Sequence, residues 1–256
     1  MMIVATHKIF DHNILPKGYV PILVGAFNKS INHTYLRDDL SDNISEKNAN
    51  YCELTGLYWI WKNDKSSTWI GLSHYRRFFL KESKFNITSD YNSIASEEYI
   101  QDLLKKFDII LPKKRHYPFI NNRQHFVQSH YEKDINTLEY VISQYYSDYH
   151  DDFKKVMSSN SLHLYNMFIM NRNCFDRYCQ WLFDILFKVE GLSDISGYDS
   201  YQSRLYGFLS ERLLNVWVLH HSLNKKELSV YEPDGKRYVE KGKKFLQDFI
   251  RSKKRA

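Results

Sequence analysis

The sequence is short of the residues that cross-link or break a chain. Its three cysteines, Cys52, Cys174 and Cys179, form no C-x-x-C pair and leave one over from any disulfide. That excludes a disulfide scaffold and points to a reducing compartment, the cytoplasm. Nine glycines and five prolines in 256 residues exclude collagen-like and low-complexity architectures. No apolar run reaches the roughly 18 residues of a membrane span, and MMIVATHKIF lacks the basic stretch and long apolar run of a signal peptide. H-E-x-x-H, G-x-S-x-G, P-loop and G-x-G-x-x-G patterns are absent, which removes support for zinc peptidases, hydrolases, NTPases and dinucleotide enzymes.

The surplus is aromatic: 20 Tyr, 16 Phe and 5 Trp make up 16% of the chain. Exposed aromatic faces suit sugar rings or nucleobases, and buried ones suit interdigitated packing. A hydrophobic fraction of 43% suits one compact α/β domain, assigned to residues 1–225. The net charge of +6 is weighted toward the C-terminus, where Phe245, Phe249 and Ile250 sit among basic residues. Residues 226–256 are therefore expected to be a basic tail, either solvated or resting peripherally on the inner face of the plasma membrane.

Along the chain, Ile3 to Thr6 reads as a strand opening into a loop at His7 and Lys8. Tyr19 to Phe27 is apolar but ambiguous, and residues 32–50 are polar and aperiodic, as in a long functional loop. Leu54, Leu57, Tyr58 and Trp61 fall at i, i+3, i+4 and i+7, predicting a helix over residues 49–63. A short buried strand over residues 69–72 leads into His74, Tyr75, Arg76 and Arg77. Further helices are expected at residues 96–107, 121–149, 174–189 and 200–219, and strands at 108–111 and 162–170. This alternation favours a mainly parallel sheet flanked by helices.

Arg76 and Arg77 at a strand end would grip phosphate if the chain turns there, since guanidinium forks bind phosphate bidentately. Surface ion pairs are the alternative. Thr6, His7 and Lys8 are donor-side candidates, and Asn48 either meets a donor or caps the first helix, as do Asp42, Asn43 and Ser45. Glu53 reads as an early-turn helical residue. Glu211, among apolar neighbours that would raise its pKa, is the first candidate proton acceptor, or else an ion-pair partner of Arg204 or Arg212. Asp199 is the second candidate, or a cap. His130, spaced i, i+4 from Asp134, and His163 and Asn166, beside a buried strand, are acceptor-side candidates or satisfied structural residues.

The runs YCELTGLYWIWKN, WIGLSHYRRFF, FDIILPKK, LYNMFIMNR and RLYGFLSERLLNVW resemble the signature blocks of a bacterial capsular and exopolysaccharide glycosyltransferase family long catalogued only as a domain of unknown function. These blocks span about residues 3–220. The resemblance implies a GT-A-like (Rossmann-like) fold with a helical acceptor-side region, a nucleotide-sugar donor (UDP-linked, and galactofuranosyl in some members) and a lipid-linked glycan acceptor. GT-A enzymes commonly hold Mn2+ or Mg2+ on Asp-x-Asp, which this chain lacks. Fixed positive charge at residues 74–77 is expected to replace the metal, with Asp38, Asp39 or Asp42 as the remaining carboxylates for one. Two rival readings are a nucleic-acid-binding protein, suggested by charge and tyrosines, and a noncatalytic carbohydrate-binding protein.

Overall fold

The computed structural model describes residues 1–30, 34–82 and 91–232. Its centre is a seven-stranded sheet in the order β10-β6-β9-β4-β1-β2-β3. The strands are β1 Met2–Thr6, β2 Tyr19–Leu23, β3 Leu36–Arg37, β4 Trp69–His74, β6 Ile109–Pro112, β9 Phe168–Asn171 and β10 Lys225–Leu228. β1 pairs in parallel with β2 and β4, β2 with β3, and β6 with β10. β9 is antiparallel to both β4 and β6, so β6 runs the same way as β4. Two short pairs sit beside the sheet: β5 Phe78–Phe79 with β11 Val230–Tyr231, and β7 Arg115–His116 with β8 Ser161–Leu162.

Strand alternation sorts the core into two layers. Ile3, Ala5, Ile70, Leu72, Ile109 and Met170 face one side. Against them pack α1 Asn48–Tyr51, α2 Leu54–Asn63, α4 Asn122–Val127, α5 Glu132–Tyr145, α6 Ser147–Ser158, α7 Arg172–Leu192 and α8 Leu205–His220. Met2, Val4, Trp69, Ile110 and Ile169 face the other side, covered by α3 Glu97–Leu104 and the β5/β11 pair. Much of the aromatic surplus is spent inside the first layer: Tyr149, Tyr178, Trp181 and Trp217 are buried against one another.

Four expectations differ from the observed elements. The helix expected over residues 49–63 is two helices, broken at Cys52, whose φ of +53° no α-helix accommodates. The strand expected over 162–170 is interrupted by Tyr165 and Asn166, both left-handed at φ +75° and +54°. The helical stretch expected over 121–149 is α4, α5 and part of α6; residues 128–131 separate the first two, so His130 lies outside the helix that carries Asp134. The boundary expected at 225/226 falls inside β10, and residues through Glu232 continue from the sheet into β11. The rest of the expected tail, including Phe245, Phe249 and Ile250, lies outside the described residues.

The long polar loop before α1 is tied down by one buried carboxylate. Asp38 accepts hydrogen bonds from the Gly25 and Ala26 amides at 2.8 and 2.9 Å and from the Ser45 and Thr55 hydroxyls at 2.6 and 2.5 Å. Gly25 turns there at φ +57°, and any Cβ on it would strike the Asn48 side chain at 2.5 Å. Asp38→Ala strands these donors in the interior, and each unsatisfied group costs about 1–3 kcal/mol. Denaturant titration is expected to show a loss of about 3 kcal/mol or more; a loss under about 1 kcal/mol would contradict this anchoring role.

Candidate active site

β1, β2 and β4 are parallel and end at one edge, and in α/β sheets ligands bind beyond such carboxyl ends. A cavity of about 810 Å³ opens there. Its walls come from the ends of β1 and β4, the α1–α2 break, the turn before α8 and the residue after β11. It brings together Thr6, His7, Asn48, His74, Tyr75, Arg76 and Arg77, seven of the eight donor-side candidates. It also contains Glu53, Arg204 and Glu232, to which the sequence assigned no such role.

The cationic side is built at the strand ends. After His74 the chain turns tightly, with the Arg77 amide donating to the His74 carbonyl at 2.9 Å. The turn lets both arginines reach one cavity. Arg76 lies over the Tyr75 ring at 4.9 Å and Lys8 approaches the same ring at 5.4 Å, although Lys8 does not line the cavity. Arg204 reaches in from the turn before α8, its Nε donating to Cys52 Sγ at 3.2 Å. Arg77 sits over the Tyr165 ring at 4.3 Å and is paired with Glu232, Nε to Oε1, at 3.0 Å. His7 is held below the usual imidazole range by partial burial and then by Lys29, Lys8, Arg76 and Arg204. Thr6 has a local duty as well, its hydroxyl bridging the carbonyl and amide of Lys8.

Glu53 also lines the cavity, at the entry to α2 where its carboxylate makes no capping bond. Its Oε1 accepts from Asn166 Nδ2 at 2.7 Å. Asn166 is itself pinned, donating to the Gly207 carbonyl at 3.1 Å and accepting from the Ser210 hydroxyl at 2.7 Å. The preceding residue, Tyr165, accepts from His74 Nε2 at its carbonyl, 2.7 Å, and donates its amide to Glu211 Oε1 at 2.9 Å. Two consecutive left-handed non-glycine residues are costly and persist only when their surroundings hold them. Here β4, α2 and α8 all do, and the strained pair links Glu53, His74, Arg77 and Glu211 in one framework.

Glu211 stands behind this framework rather than among the lining residues. Burial pushes its carboxyl up, more than the Arg212 guanidinium and the Tyr165 amide draw it down. Its Oε2 pairs with the fully buried Arg212 at 3.1 Å. Asp199 caps the turn before α8, its Oδ1 accepting from the Tyr201 and Gln202 amides. His130 stacks on Tyr201 and hydrogen-bonds Gln202 at 3.1 Å; its expected partner Asp134 accepts instead from the Tyr198 hydroxyl. His163 is buried between Asn215 and Glu227, at 2.8 and 2.9 Å, and lines a different cavity. Of the acceptor-side candidates, only Asn166 meets a lining residue of the large cavity directly.

The loop aspartates do not fit a metal. Asp38 is saturated as described, Asp39 is held by the Arg37 fork at 2.7 and 3.1 Å, and Asp42 accepts from the Tyr58 hydroxyl at 3.2 Å. None of the three lines the cavity. Among the described residues no group of three or more His, Cys, Asp or Glu side chains is placed to hold an ion.

Known proteins sharpen the picture. A solved structure described as a bifunctional glycosyltransferase, WbbM, in its apo form superposes with a TM-score of 0.80 at 29% identity, over 90% of this chain and 45% of that one. The GT-A-like architecture is thus shared, and the chain spans less than half the length of that relative. No curated protein sequence matches the chain. Residues 1–222 match the family described as domain of unknown function DUF4422, and the chain belongs to that family.

Proposed function

We propose that the chain is a nucleotide-sugar-dependent glycosyltransferase that moves a hexosyl group onto a lipid-linked oligosaccharide in surface-polysaccharide synthesis, at the cytoplasmic face of the plasma membrane. The observation that carries this reading is the cavity at the carboxyl ends of β1, β2 and β4, lined by Arg76, Arg204 and the Glu53 carboxylate. The glycosyltransferase named above, alike in fold and sequence, supports it. A UDP-sugar is the donor class to test first, with UDP-galactofuranose among the candidates.

The chemistry follows from the arrangement. Glu53 takes the proton from the acceptor hydroxyl as that oxygen bonds to the anomeric carbon from the face opposite the leaving group. The bond from that carbon to the terminal phosphate oxygen breaks, and its electron pair leaves with the nucleoside diphosphate. Arg76 and Arg204 meet the charge that develops there, and preorganised cations aimed at a leaving group are commonly the largest catalytic contribution. Attack opposite the leaving group inverts the anomeric centre. Glu211 is assigned a positioning role, holding the Tyr165 amide and through it the Asn166–Glu53 contact.

A diphosphate met by Arg76 and Arg204 opposes two of the cations that depress His7, so its pKa rises on binding. Nucleotide binding should therefore take up protons, and affinity should strengthen as pH falls toward the raised value. Calorimetry of UDP binding in buffers of different ionisation enthalpy tests this. Heats showing net proton uptake, abolished in His7→Ala, are expected; net release would contradict the placement of the phosphates. Nucleotide binding without turnover on any acceptor would favour the noncatalytic carbohydrate-binding reading.

A further inference from the structure

One residue on the opposite flank of the sheet is explained neither by packing nor by backbone preference. Phe119 is 99% exposed. Its φ of +80° is that of the third position of a type II turn, with Pro118 before it in the favoured second position. Glycine and asparagine adopt that conformation readily, whereas a bulky side chain does so at a cost. The protein thus accepts backbone strain in order to hold a phenyl ring in water.

Three cations, Lys113, Lys114 and Arg115, precede Phe119 in the chain, and all three are exposed. Lys114 also lines a second cavity, of about 380 Å³, together with Lys155, Lys225, Ser159 and Ser161. The cavity and the basic run form one surface, because β7 pairs with β8 and the Tyr117 amide donates to the Asn160 carbonyl at 2.8 Å. Carboxylates are present nearby: Lys155 meets Asp152 at 3.0 Å, and Glu227 accepts from His163. Topology orients this surface. Since β6 runs parallel to β4, Lys113 leaves the sheet at the same edge where the large cavity opens, whereas Lys225, paired with Ile109, lies at the other end of β6.

We infer that this surface docks on an anionic lipid bilayer. Phe119 enters the boundary between headgroups and acyl chains, while Lys113, Lys114 and Arg115 meet lipid phosphates. A single apolar wedge flanked by cations suits a fluid, negatively charged interface, which needs no complementary pocket. A protein partner would call for a broader apolar patch. The docking stands on this surface alone. Its use in catalysis rests on the lipid-linked acceptor reading, because it would turn the large cavity toward the membrane that holds such an acceptor.

Sedimentation of the full chain with phosphatidylcholine vesicles, with and without phosphatidylglycerol, tests the docking. The wild type is expected to co-sediment only with the anionic vesicles. Phe119→Gly relieves the strained φ, so its melting temperature should equal or exceed that of the wild type, while its partitioning falls about tenfold or more. The triple variant Lys113→Ser, Lys114→Ser and Arg115→Ser should also lose tenfold or more, since each basic residue near such a surface contributes about fivefold. Wild-type failure to sediment, or both variants sedimenting like the wild type, overturns the inference; the latter would assign binding elsewhere in the chain, for example to the basic C-terminal segment. UDP titration of Phe119→Gly separates the two readings: unchanged nucleotide affinity with lost vesicle binding is expected, and vesicle binding that tracks the nucleotide site instead counts against a separate membrane surface.

Discussion

Glu53→Gln is expected to lower sugar transfer by about 10²–10⁴-fold, the range associated with a positioned general base, with nucleotide affinity unchanged. The substitution keeps shape, and the amide oxygen still accepts from Asn166 Nδ2. What disappears is the proton acceptor facing the cavity. Turnover and UDP affinity measured on the same protein check this. A variant with near-normal turnover would return the role to another carboxylate, and Glu211 would be next. Glu211→Gln is expected to cost less, because Glu211 touches the Tyr165 amide and Arg212 rather than the cavity.

The second large effect is expected at Arg76. Arg76→Ala should raise the donor KM and lower kcat/KM by about 10²–10³-fold, as removal of one preorganised donor does elsewhere. Arg77→Ala is expected to act by a different route. The Arg77 guanidinium lies over Tyr165 and is tied to Glu232, so its loss loosens the strained segment that carries Asn166 and should reduce kcat more than donor affinity. Initial rates over a range of donor concentrations separate the two patterns. Equal effects on KM from both substitutions would mean that both side chains bind phosphate directly.

Periodicity exposed the parts of the fold that repeat. The apolar spacing of α2, the buried runs of β4 and β6 and the amphipathic pattern of α7 are local patterns, and each is found close to where the sequence places it. The strand-end turn at His74 to Arg77 was also legible, because charged residues directly after a buried strand mark the edge where ligands collect. The breaks were not. Cys52, Tyr165 and Asn166 lie inside otherwise regular patterns and adopt left-handed conformations that their side chains do not advertise. Those breaks turn Glu53 and Asn166 toward each other, which is why Glu53 looked like an ordinary helical residue. The Arg77–Glu232 pair joins residues 155 positions apart, and Arg204 owes its place to the turn capped by Asp199. Such contacts arise from tertiary packing and leave no trace in spacing. At Glu211 the apolar neighbours raise the pKa, as the sequence implies, and the residue stands outside the cavity lining, a position that spacing does not reveal.

In the proposed reaction a sugar leaves a nucleoside diphosphate in this cavity and joins an acceptor hydroxyl. Mass spectrometry of a lipid-linked oligosaccharide incubated with the protein and a panel of nucleotide sugars tests it most directly. One donor is expected to add a single sugar to the acceptor, with one equivalent of nucleoside diphosphate released per product formed. No glycosylated product with any donor, under conditions where the protein is folded and binds the nucleotide, would contradict it.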